Sequence, residues 1–223
     1  STNLSGRTFY DSIAPGSVIG DRFEVIRHLG TGGMAAVYKV YDKEVDRVAA
    51  LKVIRPEMAG NSEILRMFKQ ELALASQVTH HNVIRIYDLG VADGVRYITM
   101  QFVDGRDLRT ILKEKGKFTP EEAAAVMVQV CEGLDAAHRE QVVHRDLKPG
   151  NVMLTKGGAK LLDFGLAKQT QPDLVALSTI SGGAPLTAEG ALLGTYPYMA
   201  PEQLKGREAD VRSDIFSFGA MLS

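Results

Sequence analysis

The spacing of apolar residues divides the chain into stretches of different period. Between residues 23 and 54, three short runs rich in Val, Ile, Leu and Tyr (Phe23–Leu29, Ala36–Tyr41 and Arg47–Ile54) are separated by turn chemistry at Gly30-Thr31-Gly32-Gly33 and at Asp42–Asp46. Such runs predict three antiparallel strands. Over residues 62–78 the spacing becomes helical: Ile64, Phe68, Leu72 and Ala75 fall on one stripe, with Asn61 as N-cap and Glu63 in the first turn. Two more strands are predicted near Val83–Leu89 and Val95–Phe102, and Val103-Asp104-Gly105 marks a break. Beyond it the pattern is mainly helical. Thr119-Pro120-Glu121-Glu122 is a helix start, with a Thr cap, Pro at the first helical position and Glu three residues after the cap. Ala123, Val126, Met127, Val130, Leu134 and Ala137 supply that helix with its apolar face. Residues 141–163 return to short strands and loops, and residues 164–199 form a long irregular segment, a length usually tied to function or mobility. Residues 1–22 have no clear period and read as a flexible lead-in with a turn near Pro15-Gly16. The expectation is an α+β, two-lobed chain: the lead-in 1–22, a small antiparallel β-rich lobe with one helix over 23–103, and a larger, mainly helical lobe over 104–223.

Composition narrows the function classes. The 223 residues are 45% hydrophobic and 24% charged, values of a folded protein and not of a disordered one. Lys plus Arg number 26 and Asp plus Glu 27, so the net charge of −1 provides no bulk basic field for nucleic acid or an anionic membrane. Any polyanion bound here is held by local geometry. A single cysteine, Cys131, excludes an intrachain disulfide, fits a reducing compartment and reads as a small core residue. No apolar run approaches the ~18 residues of a membrane span. The first residue is Ser1 and not Met, which reads as a processed or excised piece of something longer.

Candidate chemistry sits in three places. Gly30-Thr31-Gly32-Gly33 lets backbone amides approach a phosphate closely, although a glycine cluster between strands is more often a hairpin turn. It leads into Val37-Tyr38-Lys39-Val40, which reads as strand, and this argues against a dinucleotide-binding fold, where the glycines open a helix. Lys52 lies inside the apolar run Ala49–Val53. It is either an edge-strand lysine facing water or the partner of Glu71, nineteen residues on, whose carboxylate points along an apolar helical stripe and needs a cation. His144-Arg145-Asp146-Leu147-Lys148-Pro149-Gly150-Asn151 forms a polar loop between apolar Val142-Val143 and Val152-Met153-Leu154, and Asp163-Phe164-Gly165 begins twelve residues after Asn151. One carboxylate there can face a hydroxyl, while a second carboxylate and an amide oxygen can hold Mg²⁺, which takes hard oxygen ligands.

With these motifs the chain resembles a eukaryotic-type Ser/Thr protein kinase, most like the bacterial branch, from about Phe23 to its end. The resemblance implies a bilobal kinase fold that uses ATP and Mg²⁺, with Mn²⁺ as a substitute metal. It implies that Leu29, Gly30, Thr31, Gly32, Gly33, Met34 and Val37 cover the phosphates. Ala50 and Met153 would sandwich adenine, Met100 would be the gatekeeper, and Gln101, Phe102 and Val103 the hinge. Lys52, paired with Glu71, would touch the α- and β-phosphates. Asp146 would orient or deprotonate the acceptor hydroxyl, Lys148 steady the phosphoryl group, and Asn151 and Asp163 hold the metals. Asp214 matches a helix aspartate that braces the catalytic loop. Arg145 would bind a phosphate on the activation segment, with Thr187 first among Thr170, Ser178, Thr179 and Ser181 as the modified residue. Thr195 matches the residue that favours Ser/Thr acceptors. Protein substrates are implied as partners, with self-association for trans-autophosphorylation, a cytoplasmic location, and no nucleic acid. A nucleotide-binding pseudokinase or scaffold is the alternative. A small-molecule phosphotransferase is a third reading, opposed by Lys148 and by Ala200-Pro201-Glu202.

Two departures from the family stand out. Ala35 replaces the third glycine, which predicts a reduced ATP affinity or rate, with a larger cost if that position needs positive φ. The chain also ends at Ser223, within the helix that starts near Arg212, whereas family members usually continue. Glu202 is therefore expected to lack its arginine partner and the helix matching Ile215–Leu222 to lack cover, so that the polypeptide alone is marginally stable, aggregation-prone or weakly active. His80 and His81 read as packing residues, His138 as a polar helix end, and Asp104 and Asp107 as either a ribose or basic-substrate contact or a solvated helix start.

Overall fold

Alternation of inward and outward side chains, interrupted by register shifts between Val25 and Arg27, between His28 and Gly30 and between Ile86 and Asp88, organises the first part of the chain. The structure is a computed structural model and describes residues 13–32, 35–54, 69, 72–164 and 196–223. An antiparallel sheet is built from β1 (Val18–Ile19), β2 (Phe23–Thr31), β3 (Ala35–Asp42), β4 (Arg47–Ile54), β5 (Ile86–Ala92) and β6 (Val95–Gln101), in the order β1-β2-β3-β4-β6-β5. On one face Phe23, Val25, Ala36, Tyr38, Val40, Ala49, Leu51, Val53 and Tyr97 close a core. The period of two sends Val37, Ala50, Lys52, Ile98 and Met100 to the opposite face.

The β strands sit close to their expected places, with two differences. The supposed lead-in contributes β1: Val18 and Ile19 pair with Glu24 and Phe23, and Ile19 is buried. Two residues are too few to show a period, so this strand left no pattern in the sequence. The fourth expected strand starts at Ile86 and not Val83; Val83 instead forms an isolated parallel bridge to Leu161. The turn residue Asp42 is fully buried and takes both ends of the Arg22 guanidinium, Nε on Oδ1 at 2.8 Å and a terminal nitrogen on Oδ2 at 2.7 Å. That fork holds the carboxyl of Asp42 below the ordinary aspartate range.

The chain divides into two compact units, which change over between Gln70 and Glu71, between Ile84 and Arg85 and between Val103 and Asp104. The second unit contains β7 (Arg106–Asp107), α1 (Leu108–Lys115), α2 (Pro120–Arg139), β8 (Val152–Thr155), β9 (Gly158–Leu161), α3 (Pro201–Leu204) and α4 (Val211–Leu222). The expected capping box opens α2: the Glu122 amide donates to Thr119 Oγ1 at 3.2 Å and the Thr119 amide to Glu122 Oε2 at 3.0 Å. Met127, Val130, Leu134 and Ala137 are its buried face. Gly133 lets α2 lie against β9, because a β-carbon there would stand 2.9 Å from Leu161 Cδ1. Residues 72–84 fall with this unit: Leu161 N–H donates to the Asn82 carbonyl at 2.7 Å, and Asn82 Nδ2 to the Ala159 carbonyl at 2.7 Å. The His80 and His81 ring centres lie 4.3 Å apart, with the rings tilted by 39°.

Three local expectations need correction. Cys131 is exposed, beside Phe118, Met127 and Phe218, because the buried stripe of α2 runs through Val130 and Leu134. Glu202, expected to have no evident partner, accepts a hydrogen bond from the Ser213 hydroxyl, which lowers its pKa, so the missing arginine does not leave it bare. Ala35 is a strand residue opposite Ile54, and extended backbone requires no left-handed φ, so the larger cost foreseen at this position does not arise. Ile215, Phe216 and Leu222 of α4 are exposed.

Candidate active site

The first unit contributes one face of its sheet. Lys52 stands on β4, between β3 and β6, opposite Val37 on one side and Ile98 on the other. It is half-buried in an interior strand, so the edge-strand reading is wrong. Two residues back on the same face, Ala50 pairs with Lys39 and with Met100, and both Ala50 and Met100 are buried. Val37, Ala50, Lys52 and Met100 thus share one face, away from the core. Gln101 donates its amide to the Arg85 carbonyl at 2.8 Å. Lys39 Nζ lies 4.3 Å from the centre of the Phe102 ring, and Val103 closes the unit. Leu29, Gly30 and Thr31 end β2, the Gly32 amide donates to the Ala35 carbonyl at 2.8 Å, and His28 Nε2 meets Thr31 Oγ1 at 2.9 Å.

The second unit carries the polar loop. Asp214, at the start of α4 and 1% exposed, receives the amides of His144 at 2.7 Å and Arg145 at 2.8 Å. His138 Nε2 lies 2.8 Å from the same carboxylate. Bracing of the loop by Asp214 is therefore geometric fact. His138 does more than end a helix, and its partner lies 76 residues away, where no local pattern could point to it. His144 is fully buried, and burial lowers its pKa, so it stays neutral near pH 7. Its Nε2 donates to the Leu162 carbonyl at 3.0 Å, which leaves Nδ1 to accept from the Asp146 amide at 3.4 Å. Its ring also lies 4.7 Å from that of Phe164.

Asp146 is fixed by its neighbours. Lys148 Nζ donates to Asp146 Oδ2 at 2.9 Å, and Asn151 Nδ2 donates to the same oxygen at 3.1 Å and to the Asp146 carbonyl at 2.8 Å. These bonds assign the Asn151 amide nitrogen to the Asp146 side and turn its oxygen away. The Leu162 amide donates to the Asn151 carbonyl at 2.9 Å, and Asp163 is the next residue along the chain. Arg145 and Asp163 have φ of 63° and 47°, left-handed values that β-carbon-bearing residues adopt only when the surroundings enforce them. An amide oxygen and a carboxylate suit Mg²⁺. No group of three or more His, Cys, Asp or Glu able to hold a metal occurs among the described residues. The donor set fits an ion that takes its remaining ligands from water and nucleotide oxygens. Met153, on β8 opposite Asp107 and Lys160, belongs to this unit. Asp107 itself caps α1, accepting the Thr110 amide at 2.9 Å, which favours the helix-start reading for that residue. Gly33, Met34, Glu71, Thr187 and Thr195 lie outside the described residues.

Residues 23–223 match the family model described as the protein kinase domain. The chain is 37% identical over 210 residues to the probable serine/threonine-protein kinase PknB of Corynebacterium glutamicum, covering 92% of this chain and 31% of that protein. It is 37% identical over 208 residues to the serine/threonine-protein kinase PrkC of Bacillus subtilis, covering 93% of this chain and 30% of that one. The crystal structure of the PknI kinase domain of Mycobacterium tuberculosis superposes with a TM-score of 0.71 at 30% identity, over 93% of this chain and 72% of that one. The chain thus spans about three tenths of the length of these curated relatives. No helix among the described residues is long and apolar enough to cross a membrane. A match over nine tenths of its length to the protein kinase domain model and to bacterial serine/threonine kinases, together with the fold of the PknI kinase domain, means that this chain belongs to the protein kinase domain family, in its bacterial, eukaryotic-type serine/threonine branch.

Proposed function

We propose that the chain transfers the γ-phosphoryl group of ATP to serine and threonine hydroxyls of proteins. The observation that carries this reading is the fixing of Asp146 by Lys148 and Asn151, 2.9 and 3.1 Å from one carboxylate oxygen. A carboxylate so held can receive the proton of an acceptor hydroxyl and aim its oxygen. The Lys148 ammonium, already beside it, opposes the negative charge of the incoming phosphoryl group. Lys52 does the same for the α- and β-phosphates, with Glu71 as its partner. Leu29, Gly30, Thr31, Gly32, Gly33, Met34 and Val37 cover the phosphates, and Ala50, Met100, Gln101, Phe102, Val103 and Met153 hold adenine. Asn151 and Asp163 hold Mg²⁺, or Mn²⁺ in its place, and when bound the ion neutralises charge on the phosphate oxygens.

The same reading extends to regulation. Arg145 receives a phosphate carried by Thr187, added by a second copy of the chain, and Thr195 favours Ser/Thr acceptors. The reaction takes place in the cytoplasm, where ATP is available and a lone thiol such as Cys131 stays reduced. Incubation with γ-labelled Mg-ATP and a generic protein acceptor tests the activity, with mass spectrometry locating modified residues on the chain itself. Label should appear on Ser or Thr, and both Lys52→Met and Asp146→Asn should reduce its incorporation by about 10²–10⁴-fold. Incorporation by either variant at the parental rate would count against the proposal.

A further inference from the structure

Arg145 occupies an unfavourable backbone conformation immediately before Asp146, with φ of 63°. Two side chains grip it from opposite sides. Asp214 Oδ1 accepts the Arg145 amide at 2.8 Å, and Gln203 Nε2 donates to the Arg145 carbonyl at 2.8 Å. That carbonyl belongs to the peptide plane joining Arg145 to Asp146, whose amide end reaches His144 Nδ1 only at 3.4 Å, so the Gln203 bond is the shorter of the two that fix how the plane is turned. The other end of the same amide, Gln203 Oε1, accepts the Ala200 amide at 3.1 Å. Gln203 therefore ties the Ala200-Pro201-Glu202 stretch to the residue that precedes Asp146, across 58 positions of sequence.

We infer that Gln203 is a positioning residue for phosphoryl transfer: it pins the Arg145–Asp146 peptide and so aims the Asp146 carboxylate. The inference rests on the function proposed above. The physical reason is that a strained peptide held at one end only can turn toward a more favourable φ and ψ. Lys148 and Asn151 hold the carboxylate from one side, but the direction of the Asp146 Cα–Cβ bond is set by its backbone. An error of ~1 Å in a reacting group costs roughly 10²-fold in rate.

Two substitutions separate aiming from helix capping. Gln203→Met keeps the length of the side chain and removes both bonds. Gln203→Glu keeps an acceptor for the Ala200 amide but offers no proton to the Arg145 carbonyl. In the full chain both variants should lower kcat by about 10–10²-fold while nucleotide affinity stays within about twofold of the parent. Amide exchange at residues 145–147 should quicken in both. The deficit of Gln203→Glu, taken as a ratio to the parent, should shrink as pH falls and its carboxyl regains a proton to donate. A parental kcat for Gln203→Glu beside an impaired Gln203→Met would reduce Gln203 to a helix cap and overturn the inference. Parental rates in both variants, or a loss of nucleotide affinity equal to the loss of kcat, would overturn it too. A parent without any phosphoryl transfer would instead sink the proposed function, and unchanged amide exchange in Gln203→Met would then still decide against Gln203.

Discussion

His144 shows how much one buried ring can tie together. It offers a proton to the Leu162 carbonyl, accepts one from the Asp146 amide and lies against Phe164, and it does all this as a neutral imidazole. Burial lowers its pKa in the folded chain, whereas the unfolded chain returns it to about 6.5. Below that pH the unfolded state binds a proton that the folded state refuses, so stability is intact above about pH 6.5 and is lost as the solution is acidified. His80, whose pKa burial also lowers, acts in the same direction. In urea denaturation across this range, each refused proton should tilt the unfolding free energy by up to about 1.4 kcal/mol per pH unit. Gln at position 144 retains an N–H for Leu162 and cannot titrate, so His144→Gln should flatten the profile. An unchanged slope in that variant would mean that His144 is not the group responsible.

At the scale of strands and helices, legibility followed the length of the pattern. The eight-residue strand Arg47–Ile54 was readable to the residue, because an apolar run rich in Val and Leu follows directly on the turn residues Asp42–Asp46. The start of α2 was equally plain, since its cap, proline and glutamate are neighbours in sequence. The two-residue β1 was not readable, and neither was the pair that secures the turn after it. Asp42 reads as an ordinary turn residue and Arg22 as the end of a lead-in, yet together they form a two-pronged ion pair with the carboxylate fully buried. Such a pair is recognised only once the strands are laid side by side. Asp42→Asn should leave the guanidinium half-answered and cost about 3 kcal/mol, the lower end for a broken buried pair because Arg22 still reaches water. The depressed pKa of Asp42 places its own acid sensitivity below about pH 4, well separated from that of His144. Chemical denaturation of the variant at neutral pH measures the loss, and a change under about 0.5 kcal/mol would show that the pair is dispensable.

For the molecule as a whole, the candidate site was legible where its residues cluster in sequence and opaque where they do not. The segment His144–Asn151 and the triplet beginning at Asp163 announce oxygen chemistry by their spacing. Asp214 was assigned as the brace of that segment through the family resemblance alone, and the relation of His138 and Gln203 to it exists only in the folded chain. The proposed reaction gives roles to Lys52, a residue of the first compact unit, and to Asp146, a residue of the second. That division supplies a test that neither residue provides alone. If both act on one transition state, losing the first largely disables what the second can contribute. Lys52→Met and Asp146→Asn, each lowering turnover by about 10²–10⁴-fold, should then combine to a loss no more than about tenfold beyond the poorer single variant. Two groups serving separate steps would give a loss equal to the product of the two. Turnover of the double variant under saturating Mg-ATP therefore reports whether the interior lysine of the sheet and the braced aspartate of the loop serve one chemical event.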